Sequence, residues 1–214
     1  MIDNELLRFK KNQKYLIFDF ETCNLNLASE DNKPWQLAFI IAEGTKVISK
    51  HDYYIKWDDL KISKDAEKIT GFSRKTYNSR GQDPSLVLDH FETYLYNPDY
   101  INLGHNIFGF DIYIHNIFRQ CLGRKTDYSY LKRSIDTLSI GKAIQKEIPY
   151  NKKEDLSVFQ FKLNSFRERG MSLNLASCCK KYDISFDPAK LHDALYDITK
   201  NFEVFNKMIW NISI

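Results

Sequence analysis

The 214-residue sequence has no run approaching the roughly eighteen consecutive apolar residues of a membrane-spanning helix. Met1 to Lys14 is polar and charged and lacks the apolar region of a secretory signal, so the expected location is cytoplasmic, with no membrane partner. Cysteines are few. Cys23, Cys121, Cys178 and Cys179 show no CxxC spacing, which argues against a zinc site and fits thiols kept reduced inside a cell. No internal repeat or low-complexity tract occurs, which argues against repeat architectures. A strong charge excess is missing too. The net charge of +3 is too small to identify a nucleic-acid binder by itself.

What is present is ordinary globular composition, with 43% apolar and 28% charged residues. That supports one domain over residues 1–214, with a core of about residues 15–210. The 15 Phe and 13 Tyr are expected mostly in the core, with some rings left to stack on bases.

Tyr15 to Phe20 (YLIFDF), Trp35 to Ala42 and Lys46 to Trp57 read as strands, the last two separated by the Glu43-Gly44 turn. Pro84 to Tyr96 reads as a helix with Leu86, Leu88, Phe91 and Leu95 near one face. Tyr100 to Leu103 is a short strand and Asp111 to Cys121 a helix. Ser134 to Thr137 is another strand, followed by a helix to about Ile144. Ser172 to Tyr182 is expected as a helix capped by Ser172. Ala189 to Trp210 is expected as the last helix, started by Asp187-Pro188. Gln145 to Gly170 is basic and less regular and reads as an insertion. Three antiparallel strands followed by alternating helices and strands imply a mixed α/β sheet flanked by helices.

Three polar clusters interrupt this pattern. Asp19 and Glu21 are two apart on a strand and project to the same side. They are either solvent-facing acids at a strand end or oxygen ligands that need a hard divalent cation between them. Asp111 opens a helix after the turn Gly104 to Phe110, as a dipole partner or as a third ligand, and Asn106 either organises that turn or contacts a sugar or phosphate. Asp197 lies within an amphipathic helix, with His192 one turn earlier near its start. They are surface residues, or a fourth ligand and a neutral imidazole suited to proton transfer near pH 7. Taken together, four carboxylates and one histidine match a two-metal phosphodiester site.

These residues resemble the DnaQ-like, or DEDDh, exonuclease family. Ile17 to Thr22 (IFDFET) is similar to its first motif and Gly104 to Asp111 (GHNIFGFD) to its second. Three residues separate Asn106 from Phe110, the longer form found in polymerase proofreading domains. His192 to Asp197 (HDALYD) is similar to the third motif. Asp193 stands where the related tyrosine subclass has its Tyr, which points to the histidine subclass. Ile62 to Gly71, Asp136-Thr137-Leu138 and Ser172 to Ile184 also match in position, so the resemblance covers about Tyr15 to Met208. Thr22-Cys23-Asn24-Leu25 departs from the family's usual Thr-Gly-Leu.

The resemblance implies an RNase H-like five-stranded mixed sheet and hydrolysis from a 3′ end with release of nucleoside monophosphates. It implies that Asp19, Glu21, Asp111 and Asp197 hold two Mg²⁺ or Mn²⁺ ions and that His192 is the base. Thr22, Leu25 and Phe110 would contact the terminal nucleotide, although Phe110 serves equally as core. The expected substrate is a single-stranded 3′ end, of DNA first and of RNA as the alternative, with a polymerase as a possible partner. A non-catalytic nucleic-acid- or polymerase-binding subunit is the remaining reading, and retention of all five residues argues against it.

Overall fold

A computed structural model of the chain describes residues 5–24, 26–27, 32–168 and 171–214. Its first three strands are β1 (Lys14–Thr22), β2 (Pro34–Glu43) and β3 (Lys46–Ile55). They are followed by α1 (Lys64–Thr70), α2 (Arg74–Arg80), the two-residue β4 (Gly81–Gln82) and α3 (Pro84–Leu95). Next come β5 (Tyr100–Gly104), α4 (Asp111–Cys121), β6 (Ser134–Asp136) and α5 (Thr137–Gln145). The chain continues through α6 (Leu156–Ser165), α7 (Leu175–Lys181) and α8 (Ala194–Met208). The sheet order is β4-β3-β2-β1-β5-β6. β1 runs antiparallel to β2 and parallel to β5, and β5 is parallel to β6. The expected mixed sheet is therefore present with six strands rather than five. The sixth, β4, pairs with only Tyr54 and Ile55 of β3 and is too short to carry a periodicity.

β1 is central and buried on both faces, which is why it reads as a nearly unbroken apolar run. Leu16, Phe18 and Phe20 face one layer, with Phe91 of α3 and Phe118 of α4. Tyr15 and Ile17 face the other, with Phe202 and Phe205 of α8. The first layer is an edge-to-face aromatic stack, Phe18 lying 5.2 Å and Phe20 5.7 Å from Phe91. By alternation, Asp19 and Glu21 fall on the α8 side. They sit at the carboxyl end of β1, where ligands commonly bind in open α/β sheets.

Several expected boundaries move. Leu86 is 69% exposed, and α3 buries Val87 in its place beside Leu88, Phe91 and Leu95. The cap of α7 is Asn174, whose side chain accepts from Ser177 N at 2.9 Å, not Ser172. Asp187-Pro188 opens only a short 3₁₀ turn, Pro188–Lys190. The last helix starts at Ala194, where Asp193 accepts from Tyr196 N at 2.8 Å. His192 therefore precedes α8 instead of lying within a helix. The basic segment 145–170, expected to be irregular, contains α6, capped by Asp155 and buried through Phe159, Gln160 and Leu163.

Glu92 fixes α3 to α4. Its Oε1 accepts from His115 Nε2 at 2.9 Å and from Arg119, while Arg124 Nη1 lies 3.3 Å from Oε2. Burial pushes the carboxyl up, but the His115 and Arg119 hydrogen bonds outweigh it and leave its pKa below the usual value. The resulting stabilisation is complete above the unfolded pKa of about 4.3 and fades as pH falls through the lower folded value. Glu92→Gln is expected to cost about 1–3 kcal/mol in urea unfolding at neutral pH, and less in acid. Equal urea midpoints for the two proteins at neutral pH would contradict this role.

Candidate functional site

A cleft of about 640 Å³ opens at the carboxyl ends of β1 and β5. It is lined by Asp19, Glu21, Thr22, Asn106, Phe110, Asp111, His192 and Asp197. All the site residues named from the sequence thus meet in one place, apart from Leu25, which lies outside the described residues. They arrive from four directions. β1 supplies Asp19 and Glu21, and a register shift after Glu21 ends the strand's regular pairing with β2. The turn after β5 supplies Asn106 and Phe110, the start of α4 supplies Asp111, and the start of α8 supplies His192 and Asp197. Asp111 is buried, and its Oδ1 accepts the Phe20 N–H at 3.0 Å, binding α4 to β1 across the layers. Asp197 Oδ2 accepts the His192 N–H at 3.1 Å. Thr22 spends its hydroxyl on the carbonyl of Asn24 at 2.6 Å, so it shapes the turn after β1. Phe110 is half-buried, packing on the α3–α4 layer while also lining the cleft.

Burial and nearby acids raise the pKa of all four carboxylates, the acids being Asp111, Glu21 and Asp197 for Asp19, Asp197, Asp111 and Asp193 for Glu21, Asp136 for Asp111, and Asp193 for Asp197. Burial is the largest cause in each case. Asp19 lies well above the usual range, Glu21 is pushed to about 8, Asp111 to about 7 and Asp197 to about 6. Among the described residues, no group of three or more His, Cys, Asp or Glu side chains is placed to hold a metal ion. The fit to cations rests instead on charge and on donor chemistry. Acid oxygens crowd together in a poorly hydrated cleft, and Asp197 Oδ1 is buried without a hydrogen-bond partner. Hard divalent ions take oxygen ligands of this kind and remove this repulsion.

Comparison with known proteins agrees with the geometry. The exonuclease family matches residues 16–205. The chain belongs to that family. It is 28% identical over 202 residues to a PolC-type DNA polymerase III of Ureaplasma parvum serovar 3, covering 94% of this chain and 12% of that protein. Structures of exonuclease I, one of them a crystal structure of the Escherichia coli protein, share its fold. A zinc-bound complex with single-stranded DNA superposes with a TM-score of 0.71 at 19% identity, covering 91% of this chain and 40% of that one. A second structure gives 0.68 at 20% identity, covering 92% and 40%. The chain thus spans well under half the length of each.

The structure gives places at or beside the cleft to residues that in the sequence match the family only as stretches, Ile62 to Gly71 and Asp136-Thr137-Leu138. Ser63, Asp65, Ala66, Ile69 and Thr70 of α1 and its cap also line the cleft, and Ile69 is half exposed there. Asp136 is fully buried and accepts from Asn106 N at 2.7 Å, Phe108 N at 3.3 Å and Leu138 N at 2.9 Å, folding the second-motif turn around itself. An Asp-Thr pair between a strand and a helix was a legible cap signal, but its hold on a turn some thirty residues earlier was not.

Asp111 and Glu21 ionise near pH 4 in the unfolded chain but only at about 7 and about 8 when folded. Their ionisation therefore costs stability progressively as pH rises across that window. Asp111→Asn keeps an acceptor for Phe20 N and removes the charge. Without divalent cations it is expected to melt several degrees above wild type at about pH 8.5 and close to wild type at about pH 4.5. A lower melting temperature than wild type at the alkaline pH would refute the cost of ionising this buried carboxyl.

Proposed function

We propose that this protein is a 3′→5′ exonuclease that hydrolyses the terminal phosphodiester of single-stranded nucleic acid, DNA in the first instance, releasing nucleoside 5′-monophosphates. The observation that carries this reading is the convergence of Asp19, Glu21, Asp111 and Asp197 with His192 on one cleft. Family membership and the resemblance to the histidine subclass support the polarity. The PolC-type relative is a DNA polymerase and the exonuclease I structure holds single-stranded DNA, which supports the substrate and a polymerase as partner.

In this reading the four carboxylates hold two Mg²⁺ or Mn²⁺ ions. Such ions would activate water and stabilise charge on the attacking and leaving oxygens of the phosphodiester. The imidazole of His192, exposed at the mouth of the cleft, accepts a proton from the attacking water. Phe110, Ile69 and the backbone around Thr22 would enclose the terminal nucleotide, with Leu25 a further contact that the family resemblance implies, and Asn106 would meet its sugar or phosphate oxygens.

Digestion of matched DNA and RNA oligonucleotides, labelled at either end, tests the proposal, with EDTA as the blank. Stepwise loss from the 3′ end is expected, faster on single-stranded DNA. Asp19→Asn and Asp111→Asn are expected to abolish it while the proteins remain folded. His192→Ala is expected to slow it by roughly a hundred- to ten-thousand-fold. Loss from the 5′ end, internal cutting, or full activity of Asp111→Asn would each defeat the proposal.

A further inference from the structure

We propose that Asn164, on α6, is a positioning residue that sets the side-chain amide of Asn106 so that its Nδ2 group donates into the cleft, toward an oxygen of the terminal nucleotide. The proposal rests on the nuclease reading above and assigns a role in it to the basic segment 145–170.

The orientation follows from the donors and acceptors present. Asp136 offers a carboxylate, which accepts hydrogen bonds. Its Oδ2 lies 3.2 Å from one terminal atom of Asn164, which must therefore be the amino group, Nδ2. The same Nδ2 lies 3.2 Å from a terminal atom of Asn106. A donor needs an acceptor, so that atom is Oδ1. The amide of Asn106 is thereby fixed with its carbonyl turned to α6. Its own Nδ2 makes no hydrogen bond to the described residues, and Asn106 lines the cleft.

The surrounding structure removes other freedoms and leaves this one to Asn164. Asn106 adopts φ 66°, and its backbone is held at both ends: its N–H donates to Asp136 Oδ1 at 2.7 Å and its carbonyl accepts from Gly109 N at 2.9 Å. A Cβ on Gly109 would sit 2.4 Å from Asn106 Oδ1 and 3.2 Å from Asn164 Oδ1, so this glycine allows the two amides to meet. Asn164 is itself well anchored. One turn earlier on α6, Gln160 behaves as a strand partner for the outer edge of β6, accepting from Asp136 N at 2.7 Å and donating to Ser134 O at 3.0 Å. At the helix end, Lys142 Nζ donates to the carbonyls of Leu163, Asn164 and Phe166 at 3.0, 2.8 and 3.0 Å.

The direction of the Asn106 amide matters because a phosphodiester entering this acidic cleft presents acceptors. An amino group attracts them, whereas a carbonyl at the same place repels them.

The test is a double-mutant cycle on Asn106 and Asn164. Affinity for a 5′-fluorescein single-stranded oligodeoxynucleotide is measured by anisotropy in EDTA, and KM and kcat are measured with Mg²⁺. Asn164→Ala is expected to weaken binding and raise KM about five-fold, the factor set by one neutral hydrogen bond, with kcat within about two-fold of wild type. In an Asn106→Ala background the same change is expected to have no further effect. Asn164→Ser serves if the alanine variant unfolds. Additive effects of the two substitutions, or equal losses in kcat and melting temperature with KM unchanged, would overturn the assignment while the nuclease reading stands. A wild-type protein that neither binds nor trims the oligonucleotide would overturn both.

Discussion

Acid groups forced together where water is scarce are the constraint around which this molecule is arranged. β1 is buried on both faces, yet it ends in Asp19 and Glu21, and the two adjoining layers each bring a further carboxylate to the same end, Asp111 from α4 and Asp197 from α8. Isolated acids in such a place take up protons, and these are held well toward that state. Helix starts and backbone N–H groups offset part of the cost: Phe20 N–H serves Asp111, and His192 N–H serves Asp197. No hydrogen bond from Lys or Arg reaches any of the four among the described residues. A fold that concentrates negative charge and leaves it without cationic side chains has room for cations from solution.

This constraint explains which features were legible from residues alone. Two acids with one residue between them on an apolar strand stand out because nothing else in β1 is charged after Lys14. Asp111 was legible for the same reason, as the acid that follows a turn and opens an amphipathic helix. The start of α8 was misread because Asp187-Pro188 is as good an opening signal as Asp193. The earlier signal is used up on a single 3₁₀ turn, and only burial of Ala194 and Ile198 decides between them. α1 and α2, at seven residues each, carry too few turns for a periodicity to emerge, so Ile62 to Gly71 was legible as a stretch resembling the family but not as part of the cleft lining. α6 was concealed differently. One of its inward residues is Gln160, a polar side chain that belongs inside only because the edge of β6 has a backbone N–H and C=O to satisfy.

That edge links sheet protection to the site. β6 is the outermost strand on its side, and an open edge of this kind invites pairing with another chain. Here a helix covers it, and the Gln160 amide copies the hydrogen bonds of a missing strand. The same β6 ends in Asp136, whose carboxylate gathers the N–H groups of the second-motif turn. The element that closes the sheet therefore also bears on the geometry of the cleft, and the segment read as an insertion is tied into the structural core.

Backbone strain points the same way. Of the described non-glycine residues, Asn106, Glu147, Asp183 and His192 have left-handed φ, and two of these line the cleft. Asparagine and histidine tolerate that conformation better than most non-glycine residues, but it is uncommon for either. Such a residue persists when its neighbours over-determine it. For His192 those neighbours lie within five residues: its N–H is bound to Asp197, and Asp193 is committed to capping α8. Rotating His192 into an ordinary conformation would break its hydrogen bond to the very carboxylate it stands beside. The short spacing from His192 to Asp197 is therefore more than a motif. It couples the direction of an exposed imidazole to a half-buried acid through a short stretch of chain, so that the imidazole and one member of the carboxylate cluster are positioned by the same helix start.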